Sequence, residues 1–181
     1  MLKRLAALLL VLVLVSIQSC QSANATSGLK SYIDSTDGYQ FMYPTGWLPV
    51  QVTGGADVVF HDLIEQTENV SVVISPVPDN KTLADLGTPG EVGYKLSKKA
   101  IAPPSSGRKA ELVNAESRQE GSKTYYILEY AVKLPSQKRH ELASVAISRG
   151  KLFSFNASTT EARWTKLKPL FEQIVNSFSV Y

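Results

Sequence analysis

Two short histidine–acid pairs are the residues of this chain whose types and spacing could do chemistry. They are His61-Asp62 and His140-Glu141, and the chain has only these two histidines. Imidazole and carboxylate groups are ligands that Mn²⁺ and Zn²⁺ accept in proteins. We therefore take His61, Asp62, His140 and Glu141 as candidate metal ligands.

A predicted hairpin adds a fifth candidate. If two strands fold back at Gly150-Lys151, residues whose numbers sum to about 301 face each other across the ladder. His140 then lies opposite Glu161. An imidazole and a carboxylate at one sheet edge can hold Mn²⁺, Zn²⁺ or Ca²⁺ weakly at a water-rich site. The alternative is a surface ion pair that contributes little to stability.

The composition and the missing motifs exclude several classes of functional site. The 181 residues include one cysteine, which excludes a disulfide framework and a multi-cysteine metal site. The 19 basic and 16 acidic residues form no concentrated basic run of the kind that binds nucleic acid. Nucleophile-elbow, phosphate-loop, dinucleotide and zinc-protease motifs are all missing from the sequence. We predict a monomeric binding protein that is not an enzyme, requires no cofactor and binds no nucleic acid.

The N-terminal residues 1–19 are typical of an export signal. Two basic residues precede an apolar run at residues 5–15, which is too short to span a bilayer. The sequence Ile17-Gln18-Ser19-Cys20 resembles a bacterial lipobox, so we expect a lipid anchor on Cys20 followed by a flexible tether at residues 20–31. The alternative is cleavage after Ala25, which would remove Cys20 with the signal.

The elements that must position these groups are mostly strands. Alternating apolar residues and turn signals predict strands at 39–43, 47–52, 57–61 and 69–77. Short turns then separate four strands of an antiparallel meander, at 109–119, 123–134, 141–149 and 151–157.

Three helical segments complete the prediction. A turn at 82–86 and a short helix at 91–100 precede the meander, and a long amphipathic helix follows it. Its apolar face recurs at helical spacing, and Pro169 should kink it. The residues of that face are Trp164, Leu167, Phe171, Ile174 and Phe178. We expect them to pack as core, the alternative being a small apolar ligand between sheet and helix. A capping box at 158–161 should start the helix.

The predicted fold class is therefore α+β, with a central antiparallel β-sheet flanked by helices and a long C-terminal amphipathic helix. The domain should cover residues 32–181, after the tether at 20–31.

Several short motifs, in order, resemble the PsbP family of extrinsic photosystem II proteins. The resemblance extends over residues 32–181, and no single motif is decisive. The motifs are Asp37–Pro44 with Trp47, Val59–Asp62, Glu68–Val72, Tyr125-Tyr126 with Glu129-Tyr130, Arg139–Leu142, Gly150–Phe153, Glu161–Trp164 and Ser177–Val180. The lipobox and short tether are similar to the cyanobacterial branch of the family.

This resemblance implies a PsbP/Mog1-like α-β-α sandwich on the lumenal side of the thylakoid membrane, held there through Cys20. It implies photosystem II core subunits as partners and a role in assembly or stabilisation. It also associates His140 and Glu161 with manganese, although plant members have Asp at the second position. The functional alternative is a lipid-anchored carrier or chaperone for Mn²⁺ or Zn²⁺.

Overall fold

The computed structural model describes residues 28–78 and 80–181. The predicted signal at 1–19, Cys20 and most of the predicted tether lie outside the described residues. Within the described part of the chain, no helix has the length and apolar character that crossing a membrane requires.

A seven-stranded antiparallel sheet forms the centre of the molecule. Its strand order is β3-β4-β5-β9-β8-β7-β6, so the predicted four-strand meander is confirmed as β6 to β9. The strands are β3 (Trp47–Val50), β4 (Val58–Asp62), β5 (Asn69–Pro76), β6 (Lys109–Glu120), β7 (Lys123–Lys133), β8 (Lys138–Ser148) and β9 (Lys151–Thr160).

A second, three-stranded sheet contains β1 (Leu29–Asp34), β2 (Tyr39–Pro44) and β10 (Ser179–Val180), in the order β1-β2-β10. Its first strand corrects the predicted tether boundary, because residues 29–31 pair with residues 42–44 of β2. In the sequence these residues belong to a small, polar segment that is typical of a linker. Backbone pairing with β2 and packing of Leu29 against the core make them part of the domain.

The described helices are α1 (Leu83–Leu86), α2 (Pro89–Leu96) and α3 (Glu161–Asn176), with a π-helical turn at Ser97–Ile101 and a 3₁₀ turn at Pro104–Ser106. The long C-terminal helix is confirmed and continues through Pro169. The predicted capping box at 158–161 is wrong, since the N-cap Thr160 makes no side-chain cap bond. The Glu161 carboxylate contacts His140 instead, and the Ser158 hydroxyl accepts from Arg139.

The two faces of the large sheet are covered differently. On one, which we call the helix face, α3 and the small sheet bury a core rich in aromatic rings, including Phe155 and Phe171. On the other, which we call the groove face, α1 and α2 pack over β6 to β8 around a second core. The approach of α2 is close: a Cβ on Gly93 would lie 2.9 Å from the Leu112 side chain. The outward side chains of β5 and β9 remain as the floor of an open groove.

The hairpin between β8 and β9 differs from its predicted register by two residues. Its turn is Arg149-Gly150, both with positive φ, so Ser148 pairs with Lys151. His140 therefore lies opposite Thr159, and not opposite Glu161 as predicted. The turn was placed one residue too late because Gly150 was assigned to its first position. The left-handed Arg149 is unusual for a residue with a side chain.

Candidate functional site

His140 lies on the helix face near the start of β8, held between two carboxylates. Its Nδ1 is 2.8 Å from Glu161 Oε2, and its Nε2 is 3.0 Å from Glu129 Oε1. Glu161 comes from the first turn of α3 and Glu129 from β7, which neighbours β8. The predicted proximity of His140 and Glu161 is thus found, although it arises diagonally across the ladder and not from direct pairing.

The imidazole is also fixed from above by an aromatic ring. The Trp164 ring of α3 stacks on it, with centroids 4.3 Å apart and planes 12° from parallel. Trp164 is three residues after Glu161, so one turn of the helix supplies both contacts. The ring of His140 is therefore restrained in both orientation and position.

Glu129 is the buried carboxylate of this group, and it was not among the predicted ligands. Its side chain is 9% exposed, and its second oxygen accepts from Lys168 Nζ at 3.1 Å. The helical spacing places Lys168 on the same side of α3 as Trp164 and Glu161. A negative charge at this depth requires such partners. The signal in the sequence was a lone Glu inside the apolar strand 125–132.

The four groups Glu161, His140, Glu129 and Lys168 form one charged chain. Its two ends, Glu161 and Lys168, are 48% and 41% exposed, and the two groups between them are buried. With both nitrogens facing carboxylates, a doubly protonated His140 can donate two hydrogen bonds. A metal ion on Nδ1 would have to replace the proton shared with Glu161, whose side chain is 48% exposed and able to move. The donor set suits Mn²⁺ or Zn²⁺ chemically, but it supplies two protein ligands and leaves the others to water.

Glu141, also a predicted ligand, points away from this group. It follows His140 in β8 and therefore lies on the groove face, where its direct partner is Ser158. Burial raises the pKa of Glu141, and the neighbouring Arg139 opposes that shift. Arg139 itself is 9% exposed and donates to the carbonyl of Thr67 at 2.6 Å.

His61 and Asp62 do not join the His140 group either. His61 is aligned with Asn69, Ser158 and Glu141 across four neighbouring strands, so it lies on the groove face. Its strand, β4, is next to the β3 edge of the sheet, three strands away from β8. The Nδ1 atom of His61 contacts the carbonyl of Asp62 at 2.7 Å.

The carboxylate of Asp62 serves the loop after β4. It accepts from the amides of Ile64 and Glu65 at 2.8 and 2.7 Å. These backbone donors, chiefly that of Glu65, lower the pKa of Asp62. Asp62 therefore acts as a turn residue in this structure.

One acidic cluster was not predicted. Asp34, Asp37 and Asp57 each have an oxygen within 4.8 Å of the others, the only such grouping of three His, Cys, Asp or Glu in the described residues. Their oxygens already have protein partners: Lys151 for Asp37 and the Tyr39 hydroxyl for Asp57. Asp57 is 20 residues after Asp37, so only the tertiary structure reveals the cluster.

Comparisons with known proteins agree with this architecture. The PsbP family model matches residues 27–180. The chain is 50% identical to CyanoP of Thermosynechococcus vestitus, with all of both chains covered. It is 48% identical to CyanoP of Synechocystis, covering 97% of this chain and 96% of that protein.

A solved structure supports the same conclusion. The solution structure of Synechocystis CyanoP superimposes with a TM-score of 0.74 at 47% identity, covering 91% of this chain and 99% of the other. The overall fold is therefore that of a known family, and this chain belongs to the PsbP family.

Proposed function

We propose that this chain is a non-enzymatic protein of the thylakoid lumen that associates with photosystem II and acts in its assembly or stabilisation. The observation that carries the proposal is the full-length similarity to two proteins named CyanoP, together with the family match over residues 27–180. The ordered sequence motifs between Asp37 and Val180 support the same proposal.

The arrangement around His140 supports a binding role over a catalytic one. A general base needs a nitrogen that can reach a substrate proton. Both nitrogens of His140 face carboxylates of the protein, and the ring is covered by Trp164. The group is built to hold β7, β8 and α3 together, which makes a rigid body suited to docking.

A lipid on Cys20 would make weak docking sufficient. Confinement to one membrane surface raises the effective concentration of the domain near membrane-embedded subunits. Mass spectrometry of the mature N-terminus tests this step, with a diacylated Cys20 expected. An unmodified N-terminus at Thr26 would contradict it.

Crosslinking in thylakoids, followed by identification of the partner peptides, tests the association itself. We expect lumenal segments of photosystem II core subunits, and recovery with immature complexes more than with fully active ones. A parallel preparation from cells that lack this chain controls for unspecific capture. Recovery only with mature, oxygen-evolving complexes would contradict the assembly role.

The second candidate function is a carrier of Mn²⁺ or Zn²⁺, which the 2.8 Å contact between His140 and Glu161 favours. Titration of each metal into the purified protein and into Glu161→Gln tests it, with Glu172→Gln as the matched control on the exposed side of the same helix. We expect weak binding that Glu161→Gln lowers about tenfold or more, as loss of one of few ligands should. Equal binding by all three proteins would exclude this site.

A further inference from the structure

Three lysines stand side by side at one end of the seven-stranded sheet. Lys109 of β6 pairs directly with Lys133 of β7, which pairs directly with Lys138 of β8. Directly paired residues share a face and lie about 5 Å apart, so like charges in this position repel. In the described part of the chain none of the three forms an ion pair. The fold thus keeps three like charges side by side with no direct ion pair to any of them in the described residues.

These lysines border a cleft beside the first turn of α3. The cleft has a volume of about 410 Å³ and is also lined by Glu111 and Glu161. The Glu161 carboxylate is directed to His140, which leaves Glu111 as the acidic group closest in register to the lysines. The three ammonium groups therefore outnumber the carboxylates at the rim.

The same end of the sheet carries an exposed apolar pair. Leu63 and Ile64, in the loop after β4, are 60% and 94% exposed. The acidic groups beside them are engaged within the loop, since Asp62 accepts from two backbone amides and Glu65 accepts from the Thr67 hydroxyl at 2.8 Å. This loop is tied to the lysine end of β8, because Arg139 donates to the carbonyl of Thr67.

The described chain also begins at this end. The amide of Thr45 donates to the carbonyl of Gly28 at 2.7 Å, and Trp47, two residues later, pairs with Asp62 just before the apolar loop. Cys20 precedes Gly28 by eight residues, which reach at most about 30 Å. A lipid on Cys20 would therefore hold this end of the sheet close to the bilayer.

We propose that this end of the sheet binds an anionic lipid surface, with Lys109, Lys133 and Lys138 contacting phosphate or sulfate headgroups and Leu63 and Ile64 entering the interface. Lysines near an anionic surface each add to binding, and exposed apolar side chains that enter the interface add a further contribution. One end of the sheet combines the row of three lysines, the exposed pair Leu63 and Ile64, and the start of the described chain at Gly28. This combination favours a membrane over an acidic protein as the partner. The inference goes beyond docking to photosystem II and needs no photosystem in its test.

Co-sedimentation with vesicles tests the proposal. The protein is the mature chain from residue 20 with Cys20→Ser, so that no anchor contributes. The vesicles are phosphatidylcholine alone or with about one third phosphatidylglycerol. We expect binding only to the anionic vesicles, and a steep loss of binding as salt rises. Failure to bind them at low salt would overturn the proposal.

Removing the charges of the three lysines shows whether binding depends on this particular site or only on the net charge of the protein. The triple variant Lys109→Gln, Lys133→Gln, Lys138→Gln should bind about 100-fold more weakly at low salt. The control removes three lysines near the opposite end, in Lys81→Gln, Lys123→Gln, Lys151→Gln, and should lose less than about threefold. Equal loss in both variants, or no loss in the first, would overturn the proposal. Circular dichroism melting checks the fold, and Lys133→Gln alone gives a smaller loss if the triple variant is unstable.

Two further arms identify the occupant. Leu63→Ser with Ile64→Ser should weaken vesicle binding about tenfold, and this loss should persist in high salt because it comes from apolar burial. Displacement from vesicles by millimolar inorganic phosphate, with chloride at equal ionic strength as control, would show a free-anion site and overturn the headgroup assignment. Capture of polyglutamate through the lysine row without vesicle binding would identify an acidic protein surface instead, and would also overturn it.

Discussion

The two faces of the large sheet differ in how their ionisable side chains are paired. On the helix face, His140, Glu129 and Glu68 are nearly buried, and each has an ionisable side chain of another residue within hydrogen-bond distance. On the groove face, Glu141 has Arg139 nearby but no ion pair in the described structure, and its pKa is raised by burial.

The difference follows from what covers each face. A helix that seals a sheet must satisfy every charge beneath it, because water cannot reach them. A face left partly open can keep a poorly paired carboxylate, since solvent in the groove still reaches it. The helix face therefore behaves as core, whereas the groove face behaves as core beneath α1 and α2 and as surface over β5 and β9.

The largest expected contrast is on β9, where neighbouring residues point to opposite faces. Phe155 is fully buried on the helix face, and Ser154 faces the groove. We expect Phe155→Ala to lower the free energy of unfolding by about 3–5 kcal/mol, whereas Ser154→Ala should change it by less than about 0.5 kcal/mol. Urea unfolding of both variants measures this. Similar losses would mean that the groove is as tightly packed as the core.

A smaller contrast lies within the charged chain around His140. Glu129→Gln removes a buried charge between His140 and Lys168, and we expect a loss of about 2 kcal/mol in unfolding free energy. Glu161→Gln removes the half-exposed partner and should cost about 0.5 kcal/mol. Thermal unfolding at neutral pH compares the two. A larger loss in Glu161→Gln than in Glu129→Gln would contradict the assignment of Glu129 as the more buried carboxylate.

The smallest expected effect is at Glu141 and depends on pH. Because its folded pKa is raised, the native state holds the proton more tightly than the unfolded chain does. Stability is therefore lost as pH rises from the unfolded pKa through the folded one. Glu141→Gln should remove this loss, so it should raise the melting temperature at pH 7 relative to the parent and give no gain near pH 3. A melting series over pH measures this, and an equal effect at both ends would contradict the assignment.

Local patterns in the sequence were sufficient for most of the fold. The alternation in β7 and β9 and the helical spacing from Trp164 to Ile174 depend on side chains that face one core, so strands and helix were found. β1 was missed because its polar residues pair at an edge and show little alternation. The start of β8 was placed at Glu141 because Lys138 and Arg139 read as part of a polar loop.

The candidate site was predictable only in part. His140 and Glu161 were found together because a hairpin and the helix that follows it are close in sequence. Glu129 was missed as their partner because its role depends on strand pairing across β7 and β8. The spacing of His61, Asp62 and Glu141 in the sequence does not show that they lie away from the His140 group. The face on which a strand residue lies depends on the strand register, and an error of one residue in the register moves every side chain to the opposite face.

The amino-acid sequence by itself determined the strands of the meander, the amphipathic C-terminal helix and the membership of the PsbP family, because each is written in residues that are near neighbours or in ordered motifs. Tertiary structure alone decided which carboxylates reach His140, which face Glu141 occupies, and that three lysines, an apolar loop and the chain entry meet at one end of the sheet. Those relations depend on strand order and register, since both bring together side chains that are distant along the chain.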